Sequence, residues 1–227
     1  MSKKMLMIVT SADKINSDNK TGIWVSEFVE PYLAFVEAGY DVTVASPKGG
    51  KAPLDPNSAE DEQLKEWEEP LKRLEETTQL QQVSKEAYDG VFLPGGHGTM
   101  FDFPDDPSLK SILSHFADHD LPIGAVCHGP AGFVNVTKSD GTSLVEGKRV
   151  TAFTNEEEES TELDKHMPFL LETSLREKGA QFEMGSMWSD FVIVDGNLVT
   201  GQNPQSSLTA AKAFVDVVET RRKAVYE

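Results

Sequence analysis

The chain contains very little cysteine: Cys127 is the only one in 227 residues. A single cysteine cannot form an internal disulfide, so the stability of the fold does not depend on an oxidising compartment. Positive charge is also scarce, because 21 Lys and Arg stand against 38 Asp and Glu, for a formal net charge of -17. A surface that tracks phosphates needs a basic footprint, so the sequence argues against nucleic acids and anionic membranes as partners. Apolar runs long enough for a signal peptide or a membrane span are absent, which predicts a cytoplasmic protein.

Short apolar runs alternate with helical patterns along the chain. This order predicts one α/β domain over residues 1–227, doubly wound, with a mostly parallel sheet sandwiched by helices. Pro31 predicts a break or kink near residues 29–30 of the first helix. An Asp-Gly-Asn turn predicts a hairpin over residues 191–201. Strands are expected at 4–10, 41–46, 89–94, 121–126 and 149–153, and helices at 21–39, 108–119, 130–136, 161–178 and 206–222.

Residues 48–84 differ in composition from the rest of the chain. They are rich in Glu, Lys, Gln and Pro and have few apolar positions. So few apolar residues cannot form a core of their own, which favours a partly helical surface excursion over a second domain. The excursion is interpreted as a lid or an interface.

Cys127 lies in the stretch LPIGAVCHGPAGFV, residues 121–134, between an apolar strand and the glycine-rich start of a predicted helix. A strand that turns directly into a helix exposes one side chain at the bend and points the first helical N–H groups at it. This position predicts a lowered thiol pKa and a nucleophilic role. The alternative is that Cys127 is a small hydrophobic core residue.

A glycine-rich loop, PGGHG at residues 94–98, follows the third predicted strand. Such a loop brings backbone N–H groups close to a ligand and can form half of an oxyanion hole, with the N–H of His128 as the other half. The side chain of His128 is a candidate base beside the cysteine. His97 is a candidate substrate contact, or it only shapes the turn.

Four motifs together resemble the ThiJ/PfpI superfamily, and most closely its glyoxalase III and heat-shock chaperone branch. They are AVCHGP at 125–130, PGGHG at 94–98, TGIWVSEFVEPY at 21–32 and VTGQNPQSS at 199–207. The resemblance runs almost from end to end and in the same order. It implies a flavodoxin-like fold related to the class I glutamine amidotransferases, with a nucleophilic cysteine at the strand-to-helix turn.

The resemblance also assigns roles to individual residues. Cys127 matches the nucleophile, His128 its neighbouring histidine, and Gly96 the oxyanion-hole glycine. Glu27 matches a protonated glutamate that hydrogen-bonds the thiolate. Glu158, five residues after the phenylalanine of the VTAF strand, matches the third acid of a triad, but Glu156, Glu157 and Glu159 flank it and leave the register open.

The implied activity is the conversion of methylglyoxal or glyoxal by the Cys127 thiol, with no glutathione, cofactor or metal, as in a D-lactate dehydratase. The resemblance also implies a homodimer. Two alternatives stay open: a stress-response chaperone whose cysteine senses oxidation, and an amidotransferase-like amidase or peptidase, which needs an acid aligned on His128.

For several other residues, a purely structural role is considered beside a functional one. Trp24 is expected in the core or the pocket wall, where it could exclude water from the site. Trp188 is likewise expected in the core or the pocket wall, and Met184 and Met187 in the core. His115 and His119 have the i, i+4 spacing of a metal pair, but a polar helix surface is the favoured interpretation because no third ligand lies near them in the sequence.

Overall fold

The computed structural model describes residues 3–226, and its strands and helices alternate as the sequence predicts. The strands are β1 (Lys4–Ile8), β2 (Asp41–Ser46), β3 (Thr78–Gln79), β4 (Gly90–Leu93), β5 (Ile123–Val126), β6 (Arg149–Val150), β7 (Gln181–Phe182), β8 (Val192–Asp195) and β9 (Leu198–Gly201). The helices are α1 (Val25–Glu37), α2 (Asp61–Glu66), α3 (Glu68–Leu71), α4 (Thr99–Asp102), α5 (Pro107–Asp118), α6 (Asn155–Ser160), α7 (Leu171–Glu177) and α8 (Ser207–Tyr226).

Seven strands form the main sheet in the order β3-β2-β1-β4-β5-β9-β8. All neighbours are parallel except β8, which pairs antiparallel with β9 in the predicted hairpin. Strands β6 and β7 form a separate parallel pair. The predicted doubly wound α/β fold with a mostly parallel sheet is confirmed. The carboxyl ends of its parallel strands meet at one edge, where such folds build their sites.

Apolar side chains cover both faces of the sheet. Alternate residues of β1 point to opposite faces, as the period of a strand requires. Leu6 and Ile8 belong to the same buried cluster as residues of α5 and α7, whereas Met5 and Met7 belong to the cluster that includes residues of α1 and α8. The strands are therefore buried from both sides and hold the loops at their carboxyl ends in place.

Of the break or kink predicted at Pro31, the break is wrong, because α1 continues from Val25 to Glu37 with the proline inside it. Phe28 and Phe35 on this helix are fully buried. This packing stabilises the helix across the missing N–H group of the proline. The position of α1 matters for the site because this helix carries Glu27 towards the centre of the molecule.

Two predicted helices are shorter than expected. After the cysteine, the structure has only a five-residue 3₁₀ helix, Gly129–Phe133, in place of a helix over 130–136. The predicted helix over 161–178 is reduced to α7, Leu171–Glu177. Glu162 adopts a left-handed backbone conformation (φ 61°), and Pro168 cannot donate the backbone hydrogen bond that a helix requires there.

The excursion at 48–84 lies against the main fold. It contains α2 and α3 and adds β3 to the edge of the main sheet, beside β2. Its residue Leu54 bridges to Ile23, immediately before α1. Among residues 3–226 there is no helix with both the length and the apolar character that crossing a bilayer requires.

Candidate active site

Cys127 occupies a sharp turn directly after β5. Its φ is 59°, a left-handed conformation that a non-glycine residue adopts at a cost and that is typical of a nucleophile elbow. The backbone holds this turn from two sides: the Cys127 N–H donates to the Gly201 carbonyl oxygen at the end of β9, and its carbonyl accepts from the Phe153 N–H, each at 2.9 Å. The side chain is 3% exposed.

Glu27 reaches the cysteine from α1. It is fully buried, and its Oε2 accepts a hydrogen bond from the Gly95 N–H at 2.7 Å. Its Oε1 has no hydrogen-bond partner within residues 3–226. Burial raises the pKa of Glu27 to about 8, although the contacts with the Cys127 thiol and the Gly95 amide oppose the shift. Glu27 is therefore a protonated acid at neutral pH.

The prediction of a lowered thiol pKa is wrong for the free site. Burial, and then the neighbouring Glu27, raise the pKa of Cys127 well above its usual value, and the N–H of His128 only partly opposes this. The short 3₁₀ helix after the cysteine offers little of the helix dipole on which the prediction depended. Cys127 is thus a neutral thiol until a base takes its proton.

His128 lies between the cysteine and an acid. Its Nδ1 is 3.4 Å from the Cys127 sulfur, and its Nε2 is 2.6 Å from Oε2 of Glu158. Glu158 is 3% exposed and lies in the first turn of α6. Burial alone would raise the pKa of Glu158, but His128 and His97 hold it well below its usual range. The structure therefore places Glu158, rather than its neighbours, against His128.

Glu157 has a different set of contacts, although it is also buried. Its Oε1 accepts from the Trp188 N–H at 2.8 Å and from the amide side chains of Gln202 and Asn203 at 3.0 and 2.8 Å. It also completes a capping box with Thr154, which starts α6. Glu157 joins α6 to the loop after β9 and to the loop of Trp188, so it fixes the helix turn that carries Glu158.

An aromatic wall covers the outer side of His128. The Phe153 ring lies 4.3 Å from the His128 ring, and Trp188 meets Phe153 edge-on at 5.5 Å between centroids. The expectation that Met184 and Met187 are core residues is wrong: they are 52% and 40% exposed, in the loop before β8. Trp188, in the same loop, is 38% exposed and has a φ of 60°.

Gly96 and the N–H of His128, the two predicted oxyanion donors, lie in different segments. The Gly96 amide has no hydrogen-bond acceptor within residues 3–226, and the His128 amide contacts the Cys127 sulfur. Gly96 has a φ of 106°, and a Cβ there would lie 2.2 Å from the Gly22 carbonyl oxygen and 2.7 Å from the half-buried Trp24 at its backbone nitrogen. Only glycine fits this turn.

Gly96→Ala should therefore reduce the free energy of unfolding by about 3 kcal/mol or more, since a clash with backbone adds to an unfavourable φ. Gly141→Ala is the matched control, because Gly141 has a φ of 85° but nothing lies within 4 Å of its added Cβ. Urea denaturation of both variants measures the difference. Equal losses in the two variants would contradict the close packing of the loop against residues 22–24.

The chain is similar to known proteins over most of its length. The profile of the DJ-1/PfpI family matches residues 21–217. The chain belongs to the DJ-1/PfpI family. It is 32% identical to Glyoxalase 3 of Candida albicans, over 95% of this chain and 98% of that protein. It is 33% identical to the glutathione-independent glyoxalase HSP31 of Saccharomyces cerevisiae, over 96% of this chain and 98% of that protein.

Solved structures of the DJ-1/PfpI family extend this similarity to the fold. The crystal structure of glyoxalase III from Candida albicans superimposes with a TM-score of 0.85 at 30% identity. The match covers 95% of this chain and 97% of that one. The resemblance to the glyoxalase III branch, predicted from four motifs, is confirmed.

One group of side chains in this DJ-1/PfpI site has the composition of a metal site. The ligand atoms of His97, His128 and Glu158 lie within 4.8 Å of one another. Both histidine Nε2 atoms are, however, 2.6 Å from the carboxylate, at hydrogen-bond distance. A metal would replace both hydrogen bonds and would remove His128 from its contact with the acid. His115 and His119 belong to no metal-ligating group of three among residues 3–226.

Sequence reasoning missed two parts of the site. The contact between His97 and Glu158, at 2.6 Å, joins the glycine-rich loop to α6 across 61 residues of sequence and has no local signal. Glu157 had a signal that was not used, because Thr154 and Glu157 have the Thr-x-x-Glu spacing of a capping box. That spacing starts a helix at residue 155 and places both Glu157 and Glu158 in its first turn.

Proposed function

We propose that the protein is a glutathione-independent glyoxalase that converts methylglyoxal and water to lactate through a covalent intermediate on Cys127. One observation carries the proposal: the only cysteine of the chain lies at a strained turn between a buried, protonated Glu27 and a His128 that is held by Glu158. The names of the Candida and Saccharomyces relatives support the same reaction. Small 2-oxoaldehydes are the proposed substrate class.

His128 is the proposed base for the first step. Glu158 is ionised and accepts at His128 Nε2, so this nitrogen carries the hydrogen and Nδ1 keeps its lone pair. Nδ1 faces the Cys127 sulfur at 3.4 Å and takes the thiol proton. The thiolate then adds to the aldehyde carbon of methylglyoxal and gives a hemithioacetal.

The amides of Gly96 and His128 are the proposed donors to the oxygen of this adduct: the His128 N–H contacts the Cys127 sulfur, and Gly96 follows Gly95, whose N–H donates to Glu27. His128 returns the thiol proton to the oxygen of the adduct and, neutral again, removes the proton from the former aldehyde carbon, while the protonated Glu27 donates its proton to the neighbouring carbonyl oxygen to give an enediol. His128 then delivers its proton to the neighbouring carbon, and Glu27 recovers a proton from the hydroxyl on the former aldehyde carbon. The product is a thioester of lactate. Water hydrolyses the thioester, which releases lactate and returns the thiol, so no other oxidant or reductant is required.

Amide or peptide hydrolysis is a second candidate. It requires an acid aligned on the histidine, and the 2.6 Å contact between Glu158 and His128 meets this requirement. The high pKa of Cys127 weighs against it, because amide hydrolysis with a poor leaving group relies on a thiolate formed before substrate binds. The glyoxalase reaction starts from a more electrophilic aldehyde.

One assay separates the two candidates. The protein is incubated with methylglyoxal in the absence of glutathione, and lactate is measured with stereospecific lactate dehydrogenases. Parallel samples contain glutamine or peptide anilides, and the release of ammonia or aniline is measured. We expect lactate to form while the amides remain intact. Amide cleavage without lactate would contradict the proposal and favour the hydrolase.

A further inference from the structure

The Glu158 carboxylate is shared by two histidines. Its Oε2 contacts Nε2 of His128 and its Oε1 contacts Nε2 of His97, both at 2.6 Å. The Thr161 hydroxyl is a third, longer donor to Oε1, at 3.3 Å. The two imidazole rings lie 4.2 Å apart, and all three ionisable side chains are buried. His97 is therefore in the hydrogen-bond network of the proposed base, although it is not next to it in the sequence.

We propose that His97 is a positioning residue of this site: by holding the second oxygen of Glu158, it orients that carboxylate towards His128 and keeps His128 a neutral base. The inference rests on the proposed function, in which His128 removes the thiol proton. It also gives His97 a role other than contact with substrate, since its Nε2 is already used by Glu158.

The charges around His128 give the physical reason. One carboxylate can neutralise one imidazolium, so two charged rings 4.2 Å apart repel each other. Burial lowers the pKa of His128, His97 lowers it further, and Glu158 only partly reverses the effect. The remaining ionisable groups near His128 are the neutral Cys127 thiol, Glu27 behind that thiol, and Glu157 on α6.

Loss of His97 has two consequences in this arrangement. Oε1 of Glu158 keeps only the long contact with Thr161, so the carboxylate is free to rotate away from His128. His128 also becomes the only histidine that interacts with the negative charge of Glu158, so the pKa of His128 rises and it stays protonated up to a higher pH. Both effects reduce the fraction of the protein that can deprotonate Cys127.

His97→Phe and His97→Gln test the proposal, with His119→Phe on the exposed end of α5 as the matched control. For His97→Phe we expect the acid limb of the pH profile of kcat/KM to move up by about one pH unit, a loss that approaches tenfold at pH values below the wild-type limb and shrinks towards pH 8. KM should change less than twofold. His97→Gln, which keeps an N–H donor for Oε1, should recover most of the loss.

The rate of alkylation of Cys127 by iodoacetamide is the second readout. It reports the removal of the thiol proton and does not depend on turnover, so it keeps the inference testable even if the protein forms no lactate. The same shift with pH is expected for His97→Phe. The inference would be overturned if His97→Phe left the acid limb of both pH profiles, that of kcat/KM and that of alkylation, where it is in the wild type. It would also be overturned if KM rose while the acid limb stayed in place, because His97 would then be a substrate contact. Circular dichroism at each pH confirms that the variants are folded.

Discussion

Cys127→Ala should reduce the formation of lactate from methylglyoxal by at least about a thousandfold, because the proposed reaction has no other group that can form the hemithioacetal. Cys127 is the only thiol in the chain, so no second cysteine can substitute for it. The thiol is small and buried among apolar side chains, so the variant should fold with a similar free energy of unfolding. Lactate formation and urea denaturation measure the two effects.

A chemical experiment on the unmodified chain supplies the control. One equivalent of iodoacetamide should abolish the activity, and the same treatment of Cys127→Ala should add no mass. His119→Phe serves as a variant that changes a residue far from the site. Lactate formation above about 1% of the wild-type rate in folded Cys127→Ala would rule out the covalent mechanism.

The overall fold could be predicted from the sequence more completely than the extents of individual helices. Apolar runs such as residues 4–8 and 90–93 are buried on both sides of the sheet, so their strand character follows from composition alone. The helices around Pro31 and Pro168 depended on packing that no local pattern contains. At Pro31, buried aromatic residues hold the helix together, whereas near Pro168 the chain turns into a loop.

In the candidate site, too, features set by local sequence could be predicted, and features set by tertiary packing could not. Cys127, His128 and Gly96 lie in short motifs whose backbone geometry is local, so their positions could be predicted from the turn that each motif forms. The protonation states of Cys127 and His128 could not be predicted, because burial decides them. The predicted lowered pKa of Cys127 considered the nearby amides but not the apolar surroundings and the carboxyl group of Glu27, which prevail in the folded protein.

Glu27→Gln should lower the activity and raise the stability of the protein. Together the two effects test whether the buried acid serves the reaction rather than the fold. The amide cannot give up or accept a proton as the carboxyl group does, so lactate formation should fall by about a hundredfold or more. Its oxygen can still accept the Gly95 N–H that now bonds Oε2. The active-site loop should therefore keep its position, and the loss should appear in kcat rather than in the fold.

The stability of the same variant should depend on pH in a defined direction. A carboxyl group whose pKa is about 8 in the folded state and 4.5 ordinarily binds its proton more tightly in the folded state. Its contribution to stability is fully present below pH 4.5 and is lost as the pH rises through 8. The uncharged amide that replaces the carboxyl group does not titrate, so the gain of Glu27→Gln over the wild type should be close to zero at pH 4.5. It should reach about 3 kcal/mol at pH 7 and level off above pH 8.

Urea denaturation at pH 4.5, 7 and 8.5 measures this gain, and Glu30→Gln is the matched control for activity. Glu30 is on the same helix and is half-buried, in a groove beside α8 and away from the cysteine, so its substitution should leave lactate formation near the wild-type rate. A gain for Glu27→Gln that does not grow with pH would mean that Glu27 is ionised in the folded protein. In that case Glu27 could not supply the proton that the mechanism requires, and His128 would have to carry out the transfer between the two carbons alone.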